Sequence, residues 1–326
     1  MPPVAGENEH PILHRPYLVS RLSCDCSLAV ALECADEQEQ AMKHKIIIDT
    51  DPGIDDAMAI AYAVAHPDIE LLALTTIFGN VRTDEATRNA LALLDHWGVS
   101  ADVAEGEPAP LSMPANQPSY LVHGRNGFGG VDIPASKRQK HALDAVDYII
   151  EATRRYPGEI SICAVGPVTN LARLLDRDPE VVSRLKAVIV MGGAVHRKGN
   201  VTPMAEANFW NDPDAADAVL AASWPLVLAP LDCTMPVVFT PDFMQALARE
   251  NPTLGTPLAA MAEFYARFYR SHLGIGGCVP HDVMALSWLT VPGAFRLQKG
   301  ALAVITDGPA IGQTLFQPGG TRSRAR

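Results

Sequence analysis

The 326-residue sequence contains no apolar run approaching the ~20 residues that a membrane-spanning helix requires, which excludes a transmembrane segment. A basic excess is missing as well: 26 Lys and Arg stand against 37 Asp and Glu, a formal net charge of −11. Polyanion binding depends on a basic face that neutralises phosphates, so nucleic acid is excluded as a partner. A neutral small molecule, or one recruited through a metal, is the expected substrate. Cysteine is also scarce. The six residues at 24, 26, 34, 163, 233 and 278 are too few in a chain this long for a disulfide framework, and read as reduced thiols of an intracellular, cytoplasmic protein. Cys24, Cys26 and Cys34 lack zinc-finger spacing.

What is present sorts into three stretches. Residues 1–44 are proline-bearing, charged and irregular, and "LSCDCSLAVALEC" is too polar and too far inside the chain for a signal peptide. They read as an N-terminal extension of doubtful order, with Met42 as a candidate effective start. Residues 45–311 alternate short Val-, Ile- and Leu-rich runs with longer helix-like stretches, the pattern of a parallel sheet covered on both faces. The strand candidates are "KIIID", "IELLALTTIFGN", "ISICAVGPVTN", "LKAVIVMGGAV" and "WPLVLAPLDCT", with "ALAVITDG" as a late addition. The expected fold is a single large Rossmann-like α/β domain with a mostly parallel sheet and its site at the carboxyl ends of the strands, where ligands of such sheets bind. Residues 312–326, "GQTLFQPGGTRSRAR", read as an irregular tail such as truncation or a frameshift leaves.

The densest chemical signal is "IIIDTDPGIDDA", where Asp49, Asp51, Asp55 and Asp56 crowd together between an apolar strand and an apolar helix. Like charges this close repel, more so at low dielectric, and a cation among them is the simplest relief. The competing structural reading makes Asp51 an N-cap and Pro52 the first helical residue, with Asp55 and Asp56 favoured by the helix dipole. Further along, "AEANFWNDPDAA" places Glu206 and Asn208 two apart. On an extended segment they face one side and could grip sugar hydroxyls. Capping of the following helix explains Asn211 to Asp214 but not these two. "CVPHDVMALSWL" sets His281 and Asp282 at the head of an apolar helix, where Asp282 could equally be an N-cap.

Taken in order, "DTDPGIDDA", "TTIFGN", "HGRNGFGG", "AVGPVTNLA", "VIVMGGAV", "AEANFWNDPDAA" and "PHDVMAL" resemble the nucleoside hydrolases of the inosine–uridine-preferring type, over about residues 45–310. The resemblance implies hydrolysis of the N-glycosidic bond of ribonucleosides, in nucleoside catabolism or salvage. It implies a calcium ion on Asp51, Asp56, Asp282 and the Val165 carbonyl, in keeping with calcium's preference for oxygen donors. It further implies that Asp51 is the general base and His281 the acid for the leaving base. Asp55, Asn80, Met191, Glu206 and Asn208 would lie around the ribose, His123 in a mobile lid over the base, and Tyr269 on the leaving-group side, with Asp49 supporting from nearer the sheet. A homodimer or homotetramer is implied as well. Two other classes compete: a nucleoside-binding sensor without turnover, against which intact Asp51 and His281 speak, and a haloacid-dehalogenase-like phosphatase, in which Gly53 would stand where Thr or Val is usual.

Overall fold

The computed structural model describes residues 43–321, so all but the last two residues of the expected N-terminal extension lie outside the described residues. The elements in chain order are β1 (His44–Thr50), α1 (Ile54–Ala65), β2 (Ile69–Thr76), α2 (Thr83–His96), β3 (Asp102–Glu105), α3 (Tyr120–His123), α4 (Ala145–Arg155), β4 (Ile160–Ala164), α5 (Thr169–Arg177) and β5 (Leu185–Met191). They continue with α6 (Ala207–Asn211), α7 (Pro213–Ala221), β6 (Leu226–Ala229), α8 (Leu231–Thr234), α9 (Pro241–Glu250), α10 (Pro252–Leu273), α11 (His281–Ser287), β7 (Gly300–Val304) and β8 (Thr314–Pro318).

Six strands pair in parallel in the order β3-β2-β1-β4-β5-β6. The order reverses between β1 and β4, so the chain leaves their carboxyl ends in opposite directions and opens a crevice there. β1 is an interior strand of the sheet: Ile46, Ile47 and Ile48 are fully buried, as β-branched residues on a strand covered from both sides must be. Ile46 and Ile48 enter the core shared with α1, α2, α10 and α11, while Ile47 enters the opposite core with α4, α5 and α7. The Val165 amide donates to the Asp49 carbonyl at 2.8 Å, which holds the loop after β4 against the loop after β1.

Two expectations change, and one strand is added. The run "ALAVITDG" does not join the central sheet: β7 pairs antiparallel with β8 in a separate hairpin. For the same reason residues 312–326 are not an irregular tail throughout, because Thr314–Pro318 is β8 and its ladder with Gly300–Val304 supplies the order that its own Pro- and Gly-rich sequence does not. A third strand, β3, escaped the sequence reading because only four residues, "DVAE", pair with β2.

Candidate active site

Helix α1 starts at Ile54 with Gly53 as its N-cap, so Asp51 and Pro52 do not begin the helix and Asp51 is not its cap. Asp55 and Asp56 fill the first turn, where the unpaired amides and the helix dipole favour anions. Asp56 accepts from the Gly53 amide (2.9 Å), the Thr50 hydroxyl (2.5 Å), the Asn80 side-chain amide (2.9 Å) and the Asp51 amide (3.2 Å). Asp51 takes the Asn80 amide on Oδ2 at 2.6 Å. Room for this carboxylate comes from two glycines that the sequence offers at strand ends. A Cβ on Gly79 would stand 2.1 Å from Asp51 Oδ2, and one on Gly166 2.7 Å from Oδ1.

Helix α11 packs on α1 and brings Asp282, in its own first turn, to the same place. Asp282 is not a cap, since Pro280 holds that position. One oxygen from each of Asp55, Asp56 and Asp282 lies within 4.8 Å of the others, and all three residues are buried. Asp51 adjoins this trio and repels it. Burial first, then the neighbouring carboxylates, raises Asp51 and Asp282 well above the ordinary range. The same causes raise Asp55 to about 8. Among the described residues, Asp51 Oδ1 and Asp55 Oδ1 are buried with no hydrogen-bond partner. Buried carboxylates with orphaned oxygens and no cationic side chain among them fit a bound cation, and a donor set of oxygen alone fits a hard one such as Ca²⁺ or Mg²⁺ better than zinc. Asp49 lies deeper: its Oδ1 accepts from Thr75 (2.6 Å) and Asn170 (2.8 Å), and burial lifts it to about 6.

On the β5 side, Glu206 and Asn208 are close but do not lie on an extended segment. Glu206 is the N-cap of α6, accepting from the amides of Asn208 (2.9 Å) and Phe209 (3.2 Å) and from Gly193 (2.8 Å). Asn208 is inside the helix, and its amide nitrogen donates to the carbonyls of Val165 (2.9 Å) and Met191 (3.1 Å). The Val165 carbonyl therefore already has one donor, and Asn208 Oδ1 makes no hydrogen bond among the described residues.

The remaining predicted residues form the opposite wall. His123 Nδ1 accepts from the Ile54 amide at 3.0 Å, so the ring is neutral, as expected where burial pushes its pKa down to about 3. Its 3.8 Å approach to Asp55 is accordingly not an ion pair. His281 Nδ1 lies 2.7 Å from the Thr234 hydroxyl and Nε2 2.7 Å from the Tyr269 hydroxyl. Tyr269 donates to Tyr265 (3.3 Å) and Tyr265 to Asp55 Oδ2 (3.1 Å). With Tyr269's proton committed to Tyr265, satisfying the chain puts a proton on His281 Nε2 and leaves Nδ1 to accept from Thr234. Burial first, then the nearby charge of Arg197, lowers His281 to about 3 and keeps it neutral. Tyr265 and Thr234 were missed from the sequence. Tyr265 is four residues before Tyr269 on α10, the spacing that aligns side chains on one helix face, and that signal was available. Thr234 gave none.

A cavity of about 1070 Å³ lies elsewhere, against β6 and the β7–β8 hairpin, and none of these carboxylates lines it.

The sequence profile of the inosine-uridine preferring nucleoside hydrolases matches residues 46–326. The chain belongs to this family. This hydrolase is 39% identical over 279 residues to "Uridine nucleosidase 1" of Arabidopsis thaliana, covering 85% of the chain and 83% of the relative. It is 39% identical over 267 residues to "Non-specific ribonucleoside hydrolase RihC" of Escherichia coli O1:K1 / APEC, covering 82% and 86%. Among solved structures, "Plant nucleoside hydrolase - PpNRh1 enzyme" superposes with a TM-score of 0.82 at 38% identity, covering 84% of this chain and 87% of that one. The protein is an N-glycosyl hydrolase of ribonucleosides.

Proposed function

We propose that the chain hydrolyses uridine and inosine to ribose and free base with a calcium ion held by Asp51, Asp56, Asp282 and the free lone pair of the Val165 carbonyl. The observation that carries this reading is the group of buried carboxylates whose orphaned oxygens, Asp51 Oδ1 and Asp55 Oδ1, meet no cationic side chain among the described residues. When bound, calcium would neutralise these charges and orient a water near Asp51.

The side chains then divide the work. Breaking the ribosyl C–N bond generates an oxocarbenium-like sugar, so the ribose side must present negative or accepting groups. Asp55 and the free Oδ1 of Asn208 supply these, with Met191 and Glu206 fixing Asn208 while Asn80 holds Asp51 and Asp56. Asp51, with Oδ1 unpartnered, takes the proton of the attacking water. On the other wall the departing base needs a proton: His281 takes one from solvent on Nδ1, where Thr234 turns its hydroxyl to accept, and gives its Nε2 proton through Tyr269 along their 2.7 Å hydrogen bond, so the ring returns to neutral. His123 closes the base side from the C-terminal end of α3.

The test is release of base from uridine and inosine by the purified protein, before and after chelation and with calcium, magnesium or zinc restored. Restoration by calcium supports the reading. Full activity after metal removal, or restoration by zinc alone, overturns it.

A further inference from the structure

Asn211 ends α6, three residues after Asn208, and does not cap the helix that follows. Asp212 does that, accepting from the Ala215 amide on Oδ1 at 3.0 Å. The other oxygen of Asp212 takes the Leu111 amide (2.9 Å) and the Thr169 hydroxyl (2.6 Å), while Asn211 Oδ1 accepts from the Asn116 side-chain amide at 3.0 Å. Both residues therefore hold the long connection between β3 and α3. That connection changes sides of the sheet: Leu111 packs on the core with α5 and α7, and Val122 on the core with α1 and α10. Asn116 is fastened to α6, which Asn208 ties to the end of β5, and His123, seven residues on, rests on the first turn of α1 beyond β1. The chain between them crosses the crevice at the carboxyl edge of the sheet as a bridge. Among the described residues, 112–117 make no hydrogen bond besides that of Asn116. Pro114 and Pro118 stiffen the bridge but bring no donor to fasten it.

We propose that Asn211 is a positioning residue: through Asn116 it latches the bridge across the crevice and so keeps His123 seated on the base side of the bound ribonucleoside. The inference rests on the reaction and on the place of His123 assigned under Proposed function. One short helix then serves both ends of the substrate, with Asn208 on the ribose and Asn211, one turn later, on the segment that leads to the base. Without the latch the bridge lifts in a fraction of the molecules, and the apparent affinity falls with the fraction that remains competent. Substrate that has bound holds the bridge down itself. The latch therefore acts on KM more than on kcat.

Steady-state kinetics on uridine with Asn211→Ala, Asn116→Ala, the pair, and Asn211→Ala in a His123→Ala background test it. Asn211→Ala raises KM about two- to tenfold with kcat little changed, the scale of one neutral hydrogen bond. Asn116→Ala does the same, and the pair loses no more than the worse single variant, because both changes remove one bond. In the His123→Ala background Asn211→Ala adds no further loss. Unchanged KM in Asn211→Ala, or a loss confined to kcat, overturns the latch, additive losses in the pair overturn its coupling to Asn116, and an undiminished loss in the His123→Ala background overturns its action through His123. Amide exchange reads the bridge without turnover. In the wild type the His123 and Gly124 amides donate to the Ser119 and Tyr120 carbonyls at 3.0 and 2.9 Å, and in Asn211→Ala they exchange faster, while the Leu111 amide, held by Asp212, keeps its rate. Unchanged exchange at His123 and Gly124 overturns the latch, and equal acceleration at Leu111 overturns its assignment to Asn211 alone. A wild-type chain that hydrolyses no ribonucleoside overturns the assigned reaction, and the exchange comparison then still decides whether Asn211 latches the bridge.

Discussion

Replacing His281 or Tyr269 separates proton delivery to the base from activation of water. Tyr269→Phe removes one hydroxyl and keeps the ring, so packing survives while the buried His281 Nε2 loses its 2.7 Å partner. An unsatisfied buried polar group costs about 1–3 kcal/mol. His281→Ala strips partners from two buried hydroxyls, those of Thr234 and Tyr269, so its cost is about 2–5 kcal/mol after some rehydration of the gap. Neither change touches Asp51, Asp56 or Asp282. Kinetics on two substrates then decide the role. Inosine needs its base protonated, and turnover falls by ~10²–10⁴ in His281→Ala, the usual scale for general acid catalysis. With p-nitrophenyl riboside, whose leaving group is already stable as an anion, the same variant loses little. If His281 and Tyr269 are one proton route, Tyr269→Phe repeats this selectivity and the double variant is no slower than His281→Ala. Equal losses on both substrates, at unchanged metal content, would show that His281 only shapes the pocket and would refute the argument.

Three further outcomes follow from the same geometry. In the metal-free chain Asp49 and Asp55 have folded pKa values of about 6 and about 8, above those of the unfolded chain. Their contribution to stability is complete below about pH 4 and is lost as pH rises through those values, so the melting temperature after chelation should fall between pH 5 and 8; a flat or rising profile would contradict it. Asn208→Ala should lower kcat as well as raise KM on uridine, because contacts to the ribose tighten as the sugar becomes cationic, and the variant should no longer distinguish uridine from 2′-deoxyuridine as sharply as the wild type; unchanged discrimination argues that Asn208 only braces Val165 and Met191. Gly79→Ala would place its Cβ 2.1 Å from Asp51 Oδ2, at a residue whose φ of 151° already disfavours a side chain. Turnover should be lost on both inosine and p-nitrophenyl riboside, and retained activity would mean that Asp51 is free to move without consequence.

How far the sequence discloses this site depends on which features are local. The run Ile46–Ile48 reads as a buried strand because each residue is β-branched, and the glycines at 79 and 166 mark strand ends because the backbone there leaves no room for a side chain. β8 could not be read, because its order comes from a ladder with residues 300–304 and not from its own propensity. Glu206 gave a misleading signal: a carboxylate two residues from an amide suggests a sugar clamp if the segment is extended, but the helix starts one residue later and turns Glu206 into its cap. The aspartates show the sharpest dependence on such a boundary. Starting α1 at Pro52 instead of Ile54 would be a two-residue shift in the helix start, and each residue turns a helix by ~100°. With the start at Ile54 and the cap at Gly53, Asp55 and Asp56 are both in the first turn facing Asp282, while Asp51 stays in the loop, held by Asn80. Carboxylate spacing announces that a cation belongs here. Which carboxylates meet Asp282 is decided by where the helix begins, and Asp56 accepting the Gly53 amide marks that start, a contact that spacing alone does not reveal.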